Sequence, residues 1–224
     1  MKYYSIGISD DPKVIGYYPQ LKFKKDYNPS LSDGYYNVSN NKFPDFVPNY
    51  ELELHSKANL VNLLPLYPEG KGLLVDEKVR QILKKHCLPS HAFYPMKLHH
   101  KGNILDYYWF HYIPNDFWNL IDSDNSYAEV VKIEKGQVSV IKKIKIRSLD
   151  QINQEKNIYT GRTPIRLGQL KMFTEFCQYD FYKTGAFNHI IISEKLKNAL
   201  EHNDVTGYKV KLFEKITINK LDSK

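Results

Sequence analysis

The sequence predicts an α+β fold: a mainly antiparallel sheet with a few short helices and two similar strand–helix–strand units. Two observations carry this expectation. The phrase "GLLVDEKVRQIL", opening at Gly72, returns as "HIIISEKLKNAL" at His189, 117 residues later. Between and around the copies lie short strand-like runs joined by turn residues, of which "YAEVVKIEKGQVSVIKKIKIR" (Tyr127–Arg147) is the clearest hairpin.

Each phrase reads as a buried strand that stops at an N-cap and launches a short helix. Three aliphatic residues (Leu73, Leu74, Val75; Ile190, Ile191, Ile192) precede a short polar residue, Asp76 or Ser193, then Glu-Lys. The polar side chain accepts an orphan first-turn N–H, and Glu77 or Glu194 lies at the positive end of the helix dipole. Val79, Ile82 and Leu83, or Leu196, Ala199 and Leu200, recur at three- and four-residue spacing and face the core.

Elsewhere the chain is punctuated by turns. Residues 1–68 hold seven of the eleven prolines and pairs such as Asn28-Pro29 and Asp33-Gly34, so short extended pieces are expected, with Lys2–Ile8 as a strand. The segment is too aromatic for a disordered tail and is expected to pack on the body. "HAFYPMKL" (His91–Leu98) returns as a strand, "HHKGN" makes a turn, and Ile104–Ile113 runs back. "NDFWNLIDSDNS" forms an irregular corner, and Lys135-Gly136 turns the second hairpin. Val138, Val140, Ile144 and Ile146 share one parity, taken as inward, against Lys143, Lys145 and Arg147; Lys142 interrupts the inward set, which points to a bulge or an edge. Residues 148–166 read as loop, Leu167–Cys177 as helix or strand, and Tyr208–Ile218 as a final strand after Gly207. The chain is read as one domain, 1–224.

Bulk numbers set the class. With 224 residues, 42% hydrophobic and 25% charged, the chain has the composition of a globular protein that folds without disulfides or metal. Cys87 and Cys177 lie far apart, with Cys87 placed on the buried helix face, a usage that fits a reducing cytoplasm. No h-region or membrane-length apolar run occurs, so a cytoplasmic location without membrane partners is expected. A net charge of +7, spread along the chain, permits acidic partners without demanding them.

Chemistry-bearing patterns are weak. Asp122, Asp124 and Ser126 have the first spacings of a calcium loop, but Tyr127 stands where glycine is needed and Ile133 where glutamate is, so a corner of side-chain-to-backbone bonds is expected. His99, His100 and His111 flank a hairpin without a carboxylate at ligand spacing. Gly70-Lys71-Gly72 precedes a strand, whereas a phosphate loop follows one. The run "DYYWFHY" (Asp106–Tyr112) could stack bases, and Lys143, Lys145 and Arg147 could meet phosphates, which keeps a small nucleic-acid-binding protein as the alternative reading. No nucleophile motif, catalytic residue, metal site or cofactor is implied.

"HIIISEKLKNALEHNDVTGYKV" resembles the C-terminal signature of an immunity-protein family of bacterial polymorphic toxin systems: aliphatics, Ser193-Glu194-Lys195-Leu196-Lys197, a short helix, Thr206-Gly207 and a strand through Val210. Ile121, Asp122, Ser126 and Tyr127, after a Tyr-Tyr strand, are similar to the family's middle stretch, and "LLVDEKVRQIL" to its upstream unit, with Asp76 where the family usually has serine. The resemblance spans roughly 70–213; residues 1–68 lie outside it and 148–187 depart from the usual short connection. It implies a non-enzymatic cytoplasmic protein that binds and neutralises a cognate toxin, with no cofactor. The partner surface expected from the strand pattern is the outward face of the Tyr127–Arg147 hairpin, with Ile141 as an apolar centre and Lys143, Lys145 and Arg147 as a charged rim.

Overall fold

Alternating apolar residues and tight turns build three sheets, joined by short capped helices, in the computed structural model, which describes residues 2–66, 72–114, 117–159, 161, 163–183, 186–187 and 189–218. In chain order the elements are β1 (Tyr3–Ile8), α1 (Pro12–Ile15), β2 (Leu21–Phe23), β3 (Glu51–Leu54), β4 (Leu63–Pro65), β5 (Leu73–Asp76), α2 (Glu77–Leu83), β6 (His91–His100) and β7 (Asn103–Tyr112). There follow β8 (Tyr127–Glu134), β9 (Gln137–Lys145), α3 (Leu149–Ile158), β10 (Ile165–Met172), β11 (Phe181–Lys183), β12 (Ile190–Ser193), α4 (Glu194–His202), β13 (Tyr208–Leu212) and β14 (Ile216–Ile218). The sheets run β2-β3-β6-β7-β5-β4, β11-β12-β1-β13 and β14-β10-β8-β9. The α+β expectation holds, with antiparallel pairing throughout except β3 with β6 and β10 with β14.

The repeated phrase is a repeated structure. Asp76 accepts the Val79 N–H at 2.9 Å and Ser193 accepts the Leu196 N–H at 3.1 Å, so both caps satisfy the third helical N–H. The likeness extends beyond the phrases to four strands, β4-β5-β7-β6 and β11-β12-β1-β13, in one register. Val75 lies between Leu63 and Tyr108; Ile192 lies between Phe181 and Tyr4. Asp76 faces Tyr107 and Ser193 faces Tyr3. His91 faces Tyr112 and Tyr208 faces Ile8. Arg80 lies over the Tyr108 ring at 4.3 Å, and Lys197 over the Tyr4 ring at 5.2 Å. The units differ in connection: β7 follows its unit, whereas β1 comes from the far N-terminus. Sequence shows only the phrases because the partner strands are separated from them differently in the two halves.

The two helices pack in one shared core, where Val79, Ile82 and Leu83 meet Leu196 and Leu200, with Phe110, Tyr112 and Phe181 beneath. Gly207 has φ +93°, and a Cβ there would come within 2.1 Å of the Leu63 carbonyl oxygen, so glycine is required where the units touch.

Residues before β4 do pack on the body. Tyr35, Tyr50 and Leu52 cover Trp109 and Tyr107 in a second core, while β1 supplies a central strand of its sheet. The third core joins Ala128, Val130, Ile144 and Leu167 to Ile152, Phe176 and Tyr182.

Several expectations need correction. Residues 148–166 are not all loop: Ser148 accepts the Gln151 N–H at 3.1 Å and starts α3, whose one buried side chain, Ile152, leaves almost no apolar periodicity to read. Leu167–Cys177 divides into the end of β10 and a 3-10 turn, Thr174–Gln178. The final strand is two strands in different sheets, broken around the buried Phe213. Cys87 is exposed, because α2 ends at Leu83. Gly70 and Lys71 of the Gly-Lys-Gly stretch lie outside the described residues. No helix among the described residues is long and apolar enough to cross a membrane.

Candidate partner-binding site

The hairpin β8–β9 is turned by Lys135 (φ +49°) and Gly136 (φ +79°), both left-handed, as a two-residue type I′ loop demands. Pairing is regular from Glu134–Gln137 to Val131–Val140; then Val130 faces Lys142, and Ile141 is left over as a bulge. The extra residue exchanges the faces. Val138 and Val140, expected inward with Ile144 and Ile146, instead share the outer face with Lys143 and Lys145, while Ile144 and Ile146 remain buried. Lys142, the interruption in the pattern, was the sequence signal of this bulge.

All four expected site residues, Ile141, Lys143, Lys145 and Arg147, are exposed along one stretch of chain. Their surroundings are less open than a bare strip. Lys143 lies over the Tyr127 ring at 4.1 Å, and Lys145 pairs with Asp124 at 2.8 Å. The Arg147 N–H donates to Gln151 Oε1 at 3.3 Å, which ties the end of the strip to the start of α3. Tyr127 is itself seated by Gly168, where a Cβ would meet the ring at 2.4 Å and where β10 shifts register. Exposed ion pairs of the Lys145–Asp124 kind contribute little stability and exchange partners readily.

Sequence reasoning missed the apolar part of this surface. Ile133, Val138 and Val140 join Ile141 as exposed aliphatic side chains around the distal half of the hairpin. Val138 and Val140 change faces at the bulge, and Ile133 is exposed with them because β10 covers β8 only as far as Val130.

The other candidate clusters are absorbed by the fold. In the corner, Asp122 accepts the Asn125 N–H and side-chain amide at 3.3 and 2.8 Å, and Ser126 Oγ accepts the Lys171 N–H at 2.9 Å, as expected of side-chain-to-backbone bonding. His99 bonds Glu51 at 3.1 Å, while His111 is buried among Trp109, Tyr94 and Phe43. His99 faces Ile104 and His111 faces Ala92 on the same ladder, so they stand about 23 Å apart along β6 and β7 and do not converge. The aromatic strand is packed on both faces, Tyr107 and Trp109 in one core and Phe110 and Tyr112 in another, which removes it as a stacking platform.

No protein-family model matches the chain, and no curated protein matches it.

Proposed function

We propose that this chain is an immunity protein: a non-enzymatic binding protein that holds a cognate bacterial toxin domain and covers its working surface. The observation that carries this reading is the ordered series of motifs from Leu73 to Val210, which resembles that family. The geometry supports it by giving those motifs scaffold duties. Ser193 and Asp76 cap helices, and Asp122 and Ser126 fasten the corner at the start of β8. A family whose shared residues build the frame leaves its exposed surface free to vary with the partner. A protecting complex must outlast toxin action, which calls for about −12 kcal/mol, a nanomolar dissociation constant. With net +7 the chain does not imitate nucleic acid, so a nuclease target would be met through shape and apolar contact.

The test is protection in cells. The genes beside that of this chain are searched for a large secreted protein, and its C-terminal domain is expressed with and without this chain. Growth arrest relieved by this chain supports the reading; arrest that persists with both proteins soluble contradicts it.

A further inference from the structure

The outer half of the β8–β9 hairpin stands alone. β10 pairs with β8 only from Tyr127 to Val130, and the Val131 N–H donates to the Pro164 carbonyl at 3.0 Å. From Lys132 to Ser139 the ribbon has no third strand among the described residues. A two-stranded ribbon in water is marginal by itself, yet this one displays Ile133 at 40%, Val138 at 51%, Val140 at 45% and Ile141 at 52% exposure.

Main-chain polarity can be read from the same bond. Because the Val131 N–H points away from β9, Val131 and Val140 form a non-hydrogen-bonded pair, and the N–H and C=O of Val140 point away from β8. Two residues earlier, Val138 does the same opposite Ile133. β9 therefore ends its sheet with donors and acceptors aimed outward, flanked by aliphatic side chains. Between Gln137 and Arg147 the chain has four basic residues and no acidic one.

We propose that β9 receives an added strand from the toxin partner: an extended segment with aliphatic side chains beside Val138 and Val140 and carboxylates beside Lys143 and Lys145. This rests on the reading above that the chain works by binding a protein. Main-chain pairing supplies affinity in such strand addition, and alternate side chains supply selectivity. Lysines on an edge ordinarily deter pairing with a like strand. Here they disfavour a second copy, whose β9 would bring three more cations, and favour an acidic segment. The partner carboxylates take over Lys145 from Asp124.

Amide hydrogen exchange on the full chain, alone and with the neighbouring toxin domain, tests this directly. The Val138 and Val140 amides are expected to exchange rapidly in the free protein and to become protected in the complex. Val140→Pro removes the outward donor without breaking a β8–β9 bond. It is expected to weaken binding by about tenfold or more, with Val140→Thr close to wild type. Val138→Pro provides the same test should the first variant disturb the bulge. Tight binding with these amides unprotected and both proline variants unaffected overturns strand addition while leaving the immunity reading intact. Protection that rises with protein concentration in the absence of toxin assigns the edge to a second copy and overturns the proposal. Failure of the wild-type chain to bind the domain at all removes the immunity reading, and the proposal with it.

Discussion

Asn62 and Asp180 hold the same post in the two units. The Asn62 carbonyl accepts the Asp76 N–H at 3.0 Å, and the Asp180 carbonyl accepts the Ser193 N–H at 2.9 Å. Each side chain then grips its cap, Asn62 Nδ2 donating to Asp76 at 2.6 Å and Ser193 Oγ donating to Asp180 at 2.6 Å. Each also reaches the chain leaving the other unit's helix: Asn62 Oδ1 accepts the Thr206 N–H at 2.8 Å, and Asp180 accepts the Cys87 N–H at 3.0 Å. Donor and acceptor are exchanged between the units, amide with carboxylate in one and carboxylate with hydroxyl in the other.

That exchange predicts a rescue. Ser193→Asp alone sets a second carboxylate against the buried Asp180 and is expected to cost about 3 kcal/mol. Adding Asp180→Asn transplants the first unit's pair and should recover most of the loss. Urea unfolding of the two single variants and the double variant gives the coupling; additive losses would show that the posts are not interchangeable.

Acid should act through the same carboxylate. Burial alone would raise the Asp180 carboxyl, but the Ser193 hydroxyl, the Cys87 N–H and the Lys195 ammonium outweigh it and hold the group below the usual carboxylate range. A lowered folded value contributes stability that is full above the unfolded value, about 4, and drains as pH falls through the folded one. Wild type should therefore exceed Asp180→Asn in stability at neutral pH, with the gap closing below about pH 4. Melting curves across pH 2–7 check it; a constant gap would mean that the carboxylate charge contributes nothing.

Nucleic acid should bind weakly and without sequence preference. The aromatic strand is packed on both faces, which leaves exposed lysines to meet phosphates without a stacking surface beside them. Titration with mixed oligonucleotides should give binding that vanishes by physiological salt, about 150 mM. Sub-micromolar binding that survives about 200 mM salt would favour the nucleic-acid-binding alternative.

The elements written in local chemistry were legible. Capped helices after aliphatic triplets and the left-handed turn at Lys135-Gly136 needed only neighbouring residues to specify them. What was lost depended on distant chain. The outward face of Val138 and Val140 follows from one inserted residue, Ile141, which inverts every side chain on one side of it. The likeness of β1 to β7 is invisible in sequence order, because β1 joins β12 and β13 from the other end of the chain. α3 was missed because its face is polar apart from Ile152, so that Ser148 alone announced it.

The proposal that the chain holds a cognate toxin domain is put to the sharpest test by calorimetric titration with the purified C-terminal domain of a secreted protein encoded beside it. A one-to-one complex with a dissociation constant of about 1 nM or tighter is expected. Absence of heat and of co-elution at about 10 µM of each protein, both folded, would contradict it.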